Sequence, residues 1–434
     1  MKTILKNVNV INPAEKVNLR GTNIILNNGL IEKIGELKFE DTSNAEEFDF
    51  SGCYVAPGFF DMHVHLREPG REDEETVVTG CNSAASGGFT GVACMPNTEP
   101  TIDSAEVVNF IKKQAKDHLV DVHSVAAATI GRKGDQLSPM AELAEAGAVA
   151  FSDDGAAIKT ASILKRVIEY SSIYKLPVIE HCEDESLSNG AMNEGLNSTF
   201  LGLPPLPSVS EDLIVIRDIQ MAEYVGGKVH IAHISTKNAV ALVREAKKKG
   251  IQVTAEVTPH HFTLTDDAVK SYDTNAKMSP PLRTHEDVDA IIEGLADGTI
   301  DCIASDHAPH SPEEKEAEFQ FAPNGIVGLE TAVGLSVSEL VHKKKLTVED
   351  LIFKLSINPR KILSLPLPEF KVGEEANFTI FDINKIWTVD ITKFKSKSKN
   401  SPFDRRLLTG NSVAVINKGK MFNNNKWISL LNTD

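Results

Sequence analysis

The chain has 434 residues, too many for one small domain but suited to a large body with a smaller module, since a barrel of roughly 250 residues or more still counts as one domain. Its formal net charge of −16 argues against nucleic acid and anionic membrane as partners, and it requires that any anionic ligand be met by cations placed inside a pocket. No stretch approaches about 18 uninterrupted apolar residues, and the opening MKTILKNVNVINPAEK lacks an apolar run with a small-residue cleavage site, so a soluble cytoplasmic protein is expected.

In chain order, residues 1–53 alternate apolar and polar positions with Asn-Gly and Ser-Gly turn signals, which predicts short antiparallel strands. From residue 54 one theme repeats: an apolar run of strand length, a polar tip, then a helical stretch. The runs are YVAPGFFDMHVH, TGVACMPN, VDVHSVAAA, GAVAFSDD, LPVIEHC, KVHIAHIS, QVTAEVTPHH and DCIASDHAPH. Helix-period apolar positions lie between them at Ser104–Asp117, Ile163–Tyr174, Ser210–Tyr224, Lys237–Lys249 and Thr284–Asp297. Two long polar segments interrupt the pattern, 183–209 and 308–327, the second a candidate lid. From about residue 370 strand patterning returns (ANFTIFDIN, SVAVINKGKMF). The expected architecture is therefore an α/β (β/α)8 TIM-like barrel over residues 54–369, with a small β-sandwich module built from both chain ends, 1–53 and 370–434. The five cysteines (Cys53, Cys81, Cys94, Cys182, Cys302) are odd in number and sit in apolar runs, as buried free thiols do.

A barrel of this kind carries its chemistry at the C-terminal ends of its strands. His63 and His65 end the first run, and alternation along a strand points both the same way, into the mouth. A lone His-x-His is weak evidence; Asp154, His181, His233 and Asp306, at the ends of the fourth, fifth, sixth and eighth runs, make it strong. Four imidazoles and two carboxylates without thiolate suit zinc, with manganese or cobalt as substitutes. Six ligands exceed what one catalytic zinc with an open position takes, whereas two metals about 3.5–4 Å apart, bridged by a carboxylate, fit. Cys182 is read as core. His230, an odd number of residues before His233, falls outside the ligand set, and His260 and His261 are read as supporting or structural. His118, His123, His285 and His342 are read as ordinary structural histidines.

The strings PGFFDMHVHLREPG (57–70), MPNTEP (95–100), FSDDG (151–155), HCED (181–184), VTPHHF (257–262), SDHAPH (305–310) and GIVGLETA (325–332) resemble those of the dihydroorotases of the amidohydrolase superfamily, in the same order. The resemblance implies reversible, metal-dependent hydrolysis of the cyclic amide of dihydroorotate to N-carbamoyl-aspartate, a step of pyrimidine biosynthesis. It implies that His63, His65 and Asp306 hold one Zn2+, that His181 and His233 hold a second, and that Asp154, favoured over Asp153 by the family's spacing, bridges them; Asp306 would also be the catalytic acid and base. Arg67, Asn97 and His310 match positions that hold the substrate carboxylate, and Asn324 with Gly325 a segment that contacts the ring. At the matching position for a further ring contact this chain has Ser279 where the family usually has Asn. Related hydantoinases and allantoinases use a carbamylated lysine as the bridge; here the fourth run ends in Asp-Asp and Lys159 lies beyond its tip, which favours dihydroorotase over those cyclic amidohydrolases. A homodimer and a carbamoyltransferase partner are admitted by analogy alone, and an inactive scaffold for such a partner is the alternative from another class; the complete ligand set opposes it.

Overall fold

The computed structural model describes residues 1–38, 42 and 44–432. Eight parallel strands form the central ring: β1 (Phe59–Val64), β2 (Phe89–Cys94), β3 (Asp121–Ala127), β4 (Ala148–Ser152), β5 (Val178–Glu180), β6 (Val229–Ile231), β7 (Val253–Val257) and β8 (Cys302–Ile303). Each is hydrogen-bonded to the next in chain order. Between β8 and β1 the ladder narrows to one parallel bridge, Val64 with His307, where the His65 N–H donates to the His307 carbonyl at 2.9 Å. Helices between the strands cover the outside, and the five expected from periodicity are observed at Ala105–Ala115, Ala161–Ile173, Val209–Val225, Lys237–Lys248 and His285–Ala296. Local chemistry fixes where several begin. Thr160 and Thr236 accept from Ile163 N and Ala239 N, and Thr284 forms a capping box with Asp287.

Both chain ends join one further sheet. Its strands run in the order Lys426–Ser429, Lys420–Asn423, Leu407–Asn417, Phe378–Thr388, Tyr54–Pro57, Lys2–Asn12, Val17–Asn27 and Leu30–Gly35, with Ala45–Asp49 pairing Lys2–Asn12 from the side. Its core holds Leu5, Val8, Ile24, Val55, Phe378, Ile380 and Ile416. The first apolar run is thus two strands, and the expected boundary at residue 54 moves: Tyr54–Pro57 pairs both chain ends, and only Phe59 onward enters the barrel. Gly58 makes the break, since a Cβ there would lie 2.0 Å from Asn377 Oδ1 and 2.1 Å from Thr90 Oγ1.

The two long segments are more ordered than their composition suggests. Segment 183–209 contains the helix Leu196–Leu201 and the paired strands Met192–Asn193 and Pro205–Leu206. Segment 308–327, expected as a lid, is tied down along its length: Lys277 Nζ donates to the carbonyls of Gln320 (3.0 Å) and Ala322 (2.7 Å), and Lys315 Nζ to that of Pro323 (2.9 Å). No helix among the described residues is long and apolar enough to cross a membrane.

Candidate active site

Strand β1 does not deliver its histidines by simple alternation. Phe60 and Met62 face the barrel interior with Val125, Ile179 and Ala232, whereas Val64 and Leu66 belong to the layer under the helices, so the inward face changes parity between residues 62 and 63. A register irregularity between Asp61 and Val64, opposite β2, makes the change. It places His63 and His65 together in the mouth, the re-aiming a bulge performs beside an active site. His233 and Asp306 reach the same space with φ of +32° and +45°, a left-handed backbone rare for such residues and tolerated where the surroundings hold it.

Six side chains meet there, all buried: His63, His65, Asp154, His181, His233 and Asp306. Ligand atoms of His63, His65 and Asp154 converge, as do those of Asp154, His181 and His233, so Asp154 is common to both groups. Asp153 turns away, accepting from Thr129 N (2.9 Å) and Thr129 Oγ1 (2.6 Å). Lys159 lies outside with its ammonium 3.7 Å from Asp135.

Hydrogen bonding shows what the mouth wants. Glu256 Oε1 lies 2.6 Å from His63 Nδ1; a carboxylate only accepts, so Nδ1 carries the hydrogen and, in the neutral ring, Nε2 offers its lone pair. That Nε2 faces Asp154 Oδ1 at 3.4 Å and Asp306 Oδ1 at 3.5 Å, and both it and Asp154 Oδ1 are buried without a hydrogen-bond partner. His65 bridges two acceptors, its Nδ1 2.8 Å from Asn97 Oδ1 and its Nε2 2.9 Å from Asp306 Oδ1. Lone pairs aimed at carboxylates repel unless a cation lies between them, so the donor set fits divalent metal. A proton on His63 can supply that cation as well: against burial, Asp154, Glu256 and Asp306 raise its pKa, and the charged ring, outweighing the burial that would raise them, holds Asp154 and Asp306 below the ordinary carboxylate range.

The residues expected around a substrate line one side of the mouth. Arg67, at φ +60°, donates from Nε to the Pro309 carbonyl at 3.1 Å, and its Nη2 lies 3.4 Å from His310 Nε2. His310 Nε2 also lies 2.9 Å from the Asn324 carbonyl. Gly325 passes close beneath, where a Cβ would stand 2.7 Å from both the Ala308 oxygen and His310 Cδ2. Asn97, expected on the substrate, has its oxygen engaged by His65, leaving its amino group as a donor. Ser279 donates its hydroxyl proton to Glu183 Oε2 at 2.6 Å.

Cys182 is buried as expected. His230 is inside the barrel rather than on the opposite face, one layer beneath the ligands, with Nδ1 2.8 Å from Thr254 Oγ1 and Nε2 3.3 Å from Glu256 Oε2. The left-handed turn at His233 breaks the parity that alternation assumes. His261 ties Thr258 Oγ1 (2.7 Å) to the Pro280 carbonyl (2.9 Å), and burial pushes His260 down to about 3. Three residues escaped sequence reasoning. Glu256 backs His63, and its signal was a lone carboxylate inside an apolar strand. Glu74 lies 3.1 Å from Arg67 Nε and 2.9 Å from His310 Nδ1. Asn400, in the run KSKSKNS, accepts from His310 N (3.1 Å) and donates to the carbonyls of Ala308 and Gly325 (both 3.0 Å).

A (β/α)8 barrel with converging histidines and aspartates at its strand ends, flanked by a sheet from both termini, is the architecture of an amidohydrolase that acts on cyclic amides. Residues 52–239 match the model of a family described as dihydro-orotase-like. The dihydroorotase of Pelotomaculum thermopropionicum is 48% identical over 423 residues, covering 97% of this chain and 98% of that protein. That of Acetivibrio thermocellus is 47% identical, covering 96% and 98%. Among solved structures, the L-hydantoinase (dihydropyrimidinase) of Arthrobacter aurescens superposes with a TM-score of 0.85 at 24% identity, covering 97% of this chain and 96% of that one, a likeness of fold. The chain belongs to the dihydroorotase family.

Proposed function

We propose that this chain interconverts dihydroorotate and N-carbamoyl-aspartate by hydrolysis and re-formation of the ring amide, and the observation that carries the reading is an aspartate shared by two converging ligand groups, beside a half-buried Arg–His pair suited to a carboxylate. His63, His65 and Asp306 would hold one divalent ion, His181 and His233 a second, and Asp154 both; the imidazole–carboxylate donor set favours zinc. When bound, the ions supply Lewis acidity at the amide carbonyl and acidify water near neutral pH. Asp306, kept ionised by the histidines around it, accepts the proton from attacking water and returns it to the leaving ring nitrogen, general base and then general acid. Arg67 grips the substrate carboxylate through the fork of its guanidinium, Asn97 and His310 complete the grip, and the Asn324–Gly325 backbone contacts the ring. Ser279, shorter than Asn and already bonded to Glu183, contributes less to the ring than Asn would. The substrate is thus a small anion in a protein of net charge −16, held by local cations. All five cysteines are free and buried, as suits the reducing cytoplasm in which we place the reaction.

The test is ring opening of dihydroorotate and closure of N-carbamoyl-aspartate by the purified zinc-loaded protein, with hydantoin, dihydrouracil and allantoin in parallel. Turnover of dihydroorotate that a chelator stops is expected. Turnover confined to the carboxylate-free rings would remove the roles of Arg67 and His310. Asp306→Ala is expected to lower kcat by at least about a thousandfold, since it deletes a ligand and the proton carrier together.

A further inference from the structure

The Arg67–His310 pair is not self-supporting. Arg67 lies in a left-handed backbone conformation with its side chain half-buried. A half-buried guanidinium and imidazole 3.4 Å apart need a common anchor to hold one geometry. Glu74 occupies that place. Its carboxylate is 2% exposed, with Oε2 3.1 Å from Arg67 Nε and Oε1 2.9 Å from His310 Nδ1. A third partner steadies it from outside, Arg71 Nη2 at 3.1 Å from Oε1, and Arg71 in turn reaches Glu314 at 2.9 Å. The backbone at Glu74 is pinned as well, since Ser398 Oγ donates to its carbonyl at 2.7 Å.

We infer that Glu74 is the positioning residue of the carboxylate grip: one buried carboxylate, ion-paired with Arg67 and hydrogen-bonded to His310, sets their spacing and thereby the enzyme's preference for a ring that bears a carboxylate. The inference rests on the substrate reading above. It assigns Glu74 no contact with substrate. Its oxygens meet Nε of Arg67 and Nδ1 of His310, which leaves the terminal nitrogens of Arg67 for the ligand, while His310 Nε2 lies 2.9 Å from the Asn324 carbonyl. Substrate lacking the carboxylate does not use the grip and should be indifferent to it.

The experiment is steady-state kinetics of the metal-loaded holoenzyme on dihydroorotate and dihydrouracil for wild type, Glu74→Gln and Arg67→Ala, with metal content and melting temperature measured on each. Glu74→Gln keeps the shape but cannot accept from both donors as an anion. A hydrogen bond to a charged group is worth about ten- to a hundredfold in affinity, so KM for dihydroorotate should rise at least about tenfold while kcat stays within about threefold. The preference for dihydroorotate over dihydrouracil should fall by the same factor. If Arg67→Ala shows this selective loss and Glu74→Gln does not, the inference on Glu74 is overturned and the substrate reading stands. If Arg67→Ala loses equally on both rings, the substrate reading itself fails and the inference with it. Should Glu74→Gln fold poorly, Glu74→Asp keeps the charge and shortens the reach by one methylene; it must give the same KM-selective loss, and an equal loss in kcat on both rings would overturn the inference.

Discussion

Glu330 stands half-buried in the first turn of the helix Leu329–Ser336. Burial pushes its pKa up to about 7, against the pull of donors at Ser396 N, Lys395 N and Ser83 Oγ. A folded-state pKa above the unfolded value near 4.5 means that the folded protein binds the extra proton between those limits. Stability from this group is therefore whole below about pH 4.5 and is lost as pH rises through 7, by about 2–3 kcal/mol. Glu330→Gln keeps an accepting oxygen without the charge. It should match wild type in thermal unfolding near pH 5 and exceed it near pH 8; equal melting temperatures at pH 8 would refute the assignment. Legibility at this scale was uneven. The six side chains that meet in the mouth were readable because each ends an apolar run, and a polar residue there has little structural reason to exist. Asp154 is distinguished from Asp153 in space by Thr129, a partner no spacing reveals. Alternation gave the common direction of His63 and His65, but the parity change that aims them inward, and the left-handed turn at His233, are backbone events without a residue signature.

Among elements, the segment 395–401 departs most from its composition. A run of lysines and serines between strands reads as solvated surface, yet Ser396, Ser398, Asn400 and Ser401 are all buried. Short polar side chains there bond the loops of the mouth: Ser398 the Glu74 carbonyl, Lys397 N the carboxylate of Glu75, and Asn400 the backbone of 308, 310 and 325. Segment 308–327, expected as a lid, is consequently tied along its length, because a distant part of the chain, together with Lys277 and Lys315, satisfies its carbonyls. Helices and strands were legible from periodicity, which reports a buried stripe; a buried loop has no period. Asn400→Ala leaves two buried carbonyls and one N–H without partners. The cost should be about 2–4 kcal/mol in urea unfolding, with KM for dihydroorotate raised because both His310 and Gly325 lose their support. Unchanged KM alongside lost stability would confine Asn400 to a structural part.

For the whole molecule, the meeting of the two chain ends was foreseeable from their matching strand patterns, while the seam that joins their sheet to the barrel was not, since it consists of single polar atoms. Thr379, fully buried on the strand Phe378–Thr388, accepts from Phe59 N at 2.8 Å and donates to the Gly88 carbonyl at 2.6 Å. Asn417 Nδ2 reaches the Leu119 carbonyl and Asp121 Oδ2, both at 2.9 Å. Phe59 opens the strand whose far end carries His63 and His65, so the seam fixes the base of the ligand-bearing strand. Thr379→Val preserves shape and removes both bonds, stranding a buried N–H and a buried C=O at about 1–3 kcal/mol each. If sheet and barrel unfold as one unit, calorimetry of Thr379→Val should show a single transition at lower temperature, with kcat and KM little changed because the mouth lies at the opposite end of β1. Two transitions, or a lowered stability confined to the sheet, would mean that the barrel holds the catalytic strands without help from the chain ends.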